Sequence, residues 1–105
     1  MEHEIHRNDI HTSVSLEKAI QNKIQKIQTR LKRYHPETAH LEIRLDHHEK
    51  QKTYECAVLL KAFKDSLHSK KSAPELRVAV DKSFDAIMKE LDLYRIKINK
   101  SLQSG

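Results

Sequence analysis

The chain has 105 residues, 33% charged and 37% hydrophobic, with 20 Lys+Arg against 15 Asp+Glu and a formal net charge of +5. That length limits it to one domain, residues 1–105, because a second core would have too little surface to bury, and it keeps enough Ile, Leu and Val to argue against disorder. One Cys cannot form an internal disulfide, and with no signal-like segment or apolar span of about 20 residues the expectation is a soluble cytoplasmic protein.

Residues 3–9 (HEIHRND) are expected as a first strand with Ile5 inward. Leu16, Ile20, Ile24, Ile27, Leu31 and Tyr34 then recur at helical spacing. Thr12, Ser13 or Ser15 can cap that helix, and Pro36 ends it. Leu41, Ile43 and Leu45 alternate with Glu42, Arg44 and Asp46, which predicts a half-buried strand. HHEKQK (residues 47–52) reads as a turn. Tyr54, Cys56, Val58, Leu60 and Ala62 form the inward series of the next strand, with Ala57 and Leu59 making its middle apolar on both faces. A turn at Lys64-Asp65 leads to a weaker strand, SLHSKKSA, anchored by Leu67.

The last element starts with Pro74 in its first turn and Glu75 at the positive end of the helix dipole. Its stripe is Leu76, Val80, Phe84, Ile87, Leu91, Tyr94, Ile98 and Leu102. A helix of ~27 residues spans ~40 Å, more than the width of four strands, so its end should overhang the sheet. The order predicts an α+β fold, β-α-β-β-β-α, in which a right-handed crossover makes the first two strands a parallel pair. The other strands add an antiparallel meander. The result is a four-stranded mixed sheet with two helices packed on one face, similar to a double-stranded-RNA-binding domain.

The charge is unevenly spread. Residues 1–15, 16–34, 35–74 and 75–105 carry nets of −2, +5, +1 and +1, so the first helix holds the equivalent of the whole surplus. A local excess of this kind suits a polyanion, because Lys and Arg neutralise phosphates and release counterions. The candidate contacts are Lys18, Lys23, Lys26, Arg30 and Arg33 on helix one, then Lys82, Lys89, Arg95, Lys97 and Lys100 on helix two. On helix two, five acids offset six bases, which also fits a merely solvated face. Cys56 lies in phase with the core and reads as a buried thiol. His3 and His6 fall on opposite strand faces, and His47-His48 have no ligand at metal spacing, so no metal is expected. No nucleophile constellation, paired carboxylates or Gly-rich phosphate loop is present, which argues against an enzyme, a nucleotide cofactor or a small-molecule substrate.

ELRVAVDKSFDAIMKEL (residues 75–91) resembles the second-helix pattern D-M-Y-x-A-I-D-x-x-x-D-K-L-x-R-Q-L of the ribosome hibernation-promoting factor family, also known as ribosome-associated inhibitor A or the sigma-54 modulation (S30AE) family. Glu75, Leu76, Ala79-Val80-Asp81, Asp85, Ile87, Lys89 and Leu91 stand in that register. Leu16, Ile20, Lys23, Ile24, Lys26 and Ile27 resemble the family's first-helix pattern. Departures are Arg7 for Gly, Arg77 for Tyr, Ala86 and Leu93 where Lys is common, and the acids Glu90 and Asp92 in a usually basic stretch.

The resemblance implies a short-form factor that binds 16S rRNA of the small ribosomal subunit under stress or in stationary phase. It would occlude the tRNA and mRNA sites and inhibit translation without chemistry. It also allows for a ribosome-dimerising partner protein. The departures move the stronger expectation for RNA contact to helix one. The alternative is a divergent paralogue acting as a protein-binding regulatory module through Leu93, Ile96 and the acids of helix two.

Overall fold

The computed structural model describes the backbone of residues 1–32, 39–62 and 65–103, and the side chains of those through residue 94. The order is β1 (Glu2–Arg7), α1 (Val14–Lys32), β2 (His40–His48), β3 (Thr53–Ala62), β4 (Asp65–Ala73) and α2 (Leu76–Gln103). The sheet runs β1-β2-β3-β4, with β1 parallel to β2 and the other pairs antiparallel. The expected fold class is therefore present.

Alternate residues of each strand supply the core. Ile5, Leu41, Ile43, Leu45, Cys56, Val58, Leu60, Ser69 and Ala73 point to the helices, and pairs such as Ile5↔Ile43↔Val58↔Ser69 fix the register. The stripes of both helices (Leu16, Ile20, Ile24, Ile27 and Leu31; Ala79, Val80, Phe84, Ile87 and Leu91) close over that face in one continuous core. Shifting a strand by one residue would put its whole apolar set in water, which pins the register.

α1 starts as expected. Ser13 Oγ accepts the Leu16 N–H at 3.1 Å, satisfying one of the free amides of the first turn. Tyr34 and Pro36, expected at its end, lie outside the described residues. α2 starts later than the sequence suggested. The Glu75 carbonyl accepts the Ala79 N–H at 3.1 Å, so Glu75 is the N-cap and Pro74 precedes the first turn. The reason is that Ala73 still pairs with Tyr54 as the last residue of β4, leaving Pro74 to make the corner. Ile98 and Leu102 fall within the backbone of α2, but their side chains lie outside the described residues.

The turn expected at residues 47–52 is shorter. β2 continues through His47 and His48, because His47 stacks on Tyr54 (ring centroids 4.4 Å apart) and His48 Nε2 lies 2.8 Å from Glu55 Oε2. Residues 49–52 make the turn, and Lys52 takes the left-handed conformation at φ 52°. Of the turn expected at Lys64-Asp65, Lys64 lies outside the described residues, and Asp65 already pairs with Ala62.

α2 rests on small residues of β4. Ser69 donates to the Ser83 carbonyl at 2.8 Å, and the two hydroxyls lie 2.8 Å apart. A hydroxyl has one proton, so Ser83 is the donor to Ser69. Further along, Tyr94 is held above the ordinary phenol pKa by burial and by a hydrogen bond with Asp65.

Cys56 is fully buried beneath this layer, and burial pushes its thiol up to about 12. The thiolate is the reactive form. An aromatic disulfide reagent is therefore expected to leave the native protein unmodified over hours and to titrate one thiol on unfolding. Absorbance of the released thiolate measures it, and prompt reaction of native protein would contradict the burial.

Candidate nucleic-acid interface

The two faces of the molecule differ in charge. On the open sheet face stand Glu2, Glu4, Glu42, Asp46 and Glu55, with Arg44, Lys61 and Lys70, a net of −2 with the histidines neutral. Many of these groups serve each other. His6 lies 3.4 Å from Glu4 and 3.5 Å from Glu42, Arg44 is 3.6 Å from Glu42, and Lys70 is 3.3 Å from Glu55. Among the described residues the basic surplus therefore lies off the open face.

α1 uses both flanks inside the fold. Toward β1, Arg7 forks onto Glu17 through Nε–Oε1 at 2.6 Å and Nη2–Oε2 at 2.7 Å, and Thr12 donates to Glu17 Oε1 at 2.5 Å. The hydrogen bonds from Arg7 and then Thr12 hold the Glu17 carboxyl below its usual range, and the bond to Glu17 raises the Arg7 guanidinium. Arg7, which departs from the resembled pattern, thus fastens the end of β1 to the first turn of α1.

Toward α2, Lys23 Nζ lies 3.0 Å from Asp81 Oδ1, with Arg77 at 3.5 Å from the same oxygen. Lys23 is only 20% exposed, and its ammonium sits 5.9 Å from the centroid of the Phe84 ring. Arg30 pairs with Asp92 one step further along the seam. Two of the expected phosphate contacts, Lys23 and Arg30, are therefore engaged across the helix–helix seam. Asp92, one of the two acids of α2 that looked out of place in a basic stretch, is the partner of Arg30, and the other, Glu90, accepts the His68 N–H.

What remains outward on α1 is Lys18, Lys26 and Lys32, all exposed and with no exposed acid among them. Exposed Gln21, Asn22, Gln25, Gln28 and Thr29 stand between them. Periodicity and charge counting passed over these amides, because they carry neither hydrophobicity nor charge. The clue available was their concentration, with four of the chain's amide side chains in one helix and no acid after Glu17. Amides offer both donors and acceptors to sugar, phosphate and base edges. Beside them a shallow hollow between the helices is lined by Asn22, Gln25, Lys26, Thr29, Arg30 and Met88.

On α2, Lys82 and Lys89 are exposed with Asp85 between them. Arg33 lies outside the described residues, as do the side chains of Arg95, Lys97 and Lys100. Among the described residues no group of His, Cys, Asp and Glu is placed to hold a metal ion, and no helix is long and apolar enough to cross a membrane.

Residues 3–99 match the sequence model of a family described as sigma 54 modulation protein / S30EA ribosomal protein. No curated protein matches the chain. Among solved structures, a ribosomal subunit interface protein from Coxiella burnetii is similar at TM-score 0.68 and 14% identity, over 91% of this chain and 99% of that one. The N-terminal domain of Protein Y from Thermus thermophilus is similar at TM-score 0.66 and 13% identity, over 89% of this chain and 94% of that one. At such identities the structural likeness speaks for the fold.

Proposed function

Because this chain belongs to the sigma 54 modulation protein / S30EA ribosomal protein family, whose members are ribosome-associated factors and not enzymes, we propose that it is a hibernation factor acting on the small ribosomal subunit. It binds 16S rRNA through the outer face of α1, occupies the space of tRNA and mRNA, and so inhibits translation under stress. The observation that carries this reading is the segregation of charge: Lys18, Lys26 and Lys32 face outward with amides and no acid, opposite a sheet face of net −2. Lysines give phosphate attraction that reads shape more than sequence, which suits a folded RNA whose deep groove hides its bases. Lys82 and Lys89 extend the positive surface across the seam.

Co-sedimentation with isolated small subunits across a salt series tests the proposal. Binding at low salt is expected to weaken about 30-fold or more between 50 and 200 mM salt if three or more phosphates are neutralised. Protein that stays at the top of the gradient even at low salt would overturn it.

A second reading rests on α2, where Leu93 is 67% exposed and Val78 36%. These side chains suit a protein partner, including one that pairs ribosomes. Leu93→Lys separates the readings, since RNA binding through α1 tolerates it and a protein contact through α2 does not.

A further inference from the structure

The sheet has two edges, and among the described residues only one of them is guarded. At β4, Glu90 on α2 reaches over and its Oε2 accepts the His68 N–H at 3.2 Å, while Lys70 and Lys71 add charge along that strand. β1 has no such cover among the described residues. It pairs on one side only, and the bonds Glu2 N–H to Ala39 O and Asn8 N–H to Leu45 O show which residues face β2. The alternate residues, His3, Ile5 and Arg7, therefore direct their backbone N–H and C=O outward. An open row of this kind is a template for another strand.

Charged side chains normally keep such an edge from pairing with itself, and β1 carries Glu2, Glu4 and Arg7. The order of its charges reverses that effect in one register. With the two-fold axis at Ile5, the outward residues pair His3 with Arg7 and Ile5 with Ile5 of a second copy. On the open face, Glu4 then meets His6 and Glu2 meets Asn8. Moving the axis to Glu4 sets Glu4 against Glu4, and moving it to His6 sets His6 against His6. Only the register centred on Ile5 avoids like pairs on the open face and buries Ile5, which one copy leaves half-exposed.

The helical side accepts the same arrangement. A two-fold axis normal to the sheet places the β1-side flanks of two α1 helices next to each other. That flank carries Glu17, already forked by Arg7, the neutral amides Gln21 and Gln28 and, at the far end of the helix, Lys32.

We propose that β1 is a self-pairing edge, through which two copies join into one eight-stranded sheet with all four helices on one side. About six backbone hydrogen bonds and two Glu4–His6 pairs hold it, so the dimer is weak and forms with rising concentration.

Sedimentation equilibrium of the full chain over a concentration series tests this. The weight-average mass is expected to climb from 12.3 kDa toward twice that value. His3→Pro removes an outward donor and no bond to β2, and is expected to weaken association about tenfold or more. Glu4→Lys weakens it similarly at neutral pH, and adding His6→Glu restores it, because both changes keep opposite charges beside Glu42 and Arg44 within each copy. Leu93→Lys leaves association unchanged. A mass fixed at 12.3 kDa, no rescue by the double variant, or loss of association in Leu93→Lys would each overturn the proposal.

Discussion

Phe84→Ala is expected to lower the unfolding free energy by about 3–5 kcal/mol and the melting temperature by roughly 15–25 °C. Phe84 is 2% exposed and is the largest fully enclosed side chain of the core. It sits where α2 crosses the sheet, with the seam to α1 on its other side, so α2 loses packing against the sheet and against α1 at once. Collapse does not soften the loss, because Leu41, Ile43, Leu45, Val58 and Leu60 belong to a sheet whose spacing is set by backbone hydrogen bonds. The ring also lies under Lys23, so truncation leaves that ammonium and its stem without their platform. Thermal unfolding followed by circular dichroism measures the effect. A fall of a few degrees would mean that the ring is not central to the core.

The same residue shows what the sequence makes legible. Phe84 falls in a stripe of period 3.6, and Leu41, Ile43 and Leu45 in one of period 2, so the elements and their inward faces follow from local pattern. The order of elements and the crossover rule then leave few topologies, and the observed one is among them. Boundaries were less visible. β2 runs through His47 and His48 because each finds a partner on β3, Tyr54 and Glu55, and such cross-strand pairing has no signature along the chain.

The seam was hidden for a related reason. Lys23–Asp81 and Arg30–Asp92 join residues about 60 positions apart, and only the crossing of two helices brings them together. Counting charges by segment assigned Lys23 and Arg30 to a free basic face and left Asp92 as an intruder. Geometry gives both the same explanation. Arg7 is a parallel case, since its fork onto Glu17 depends on where a crossover helix begins over the sheet.

Sorting the cations this way yields the largest expected effect on binding. Lys18→Glu, Lys26→Glu and Lys32→Glu combined are expected to weaken small-subunit binding about 1,000-fold and to flatten the salt dependence of log K by about 2–3. All three side chains are exposed, and Glu is as good a helix former as Lys, so the melting temperature should hardly change. Lys23→Glu is expected to behave in the opposite way. It places a carboxylate beside Asp81 and lifts the stem from Phe84, costing about 1 kcal/mol of stability, with a far smaller loss of binding. Measuring co-sedimentation and melting on the same preparations separates the two classes. If folded Lys23→Glu protein lost binding as completely as the triple variant, the contact surface would have to include the seam, with Lys23 leaving Asp81 for a phosphate. If the triple variant still bound, the outer face of α1 would not be the contact surface.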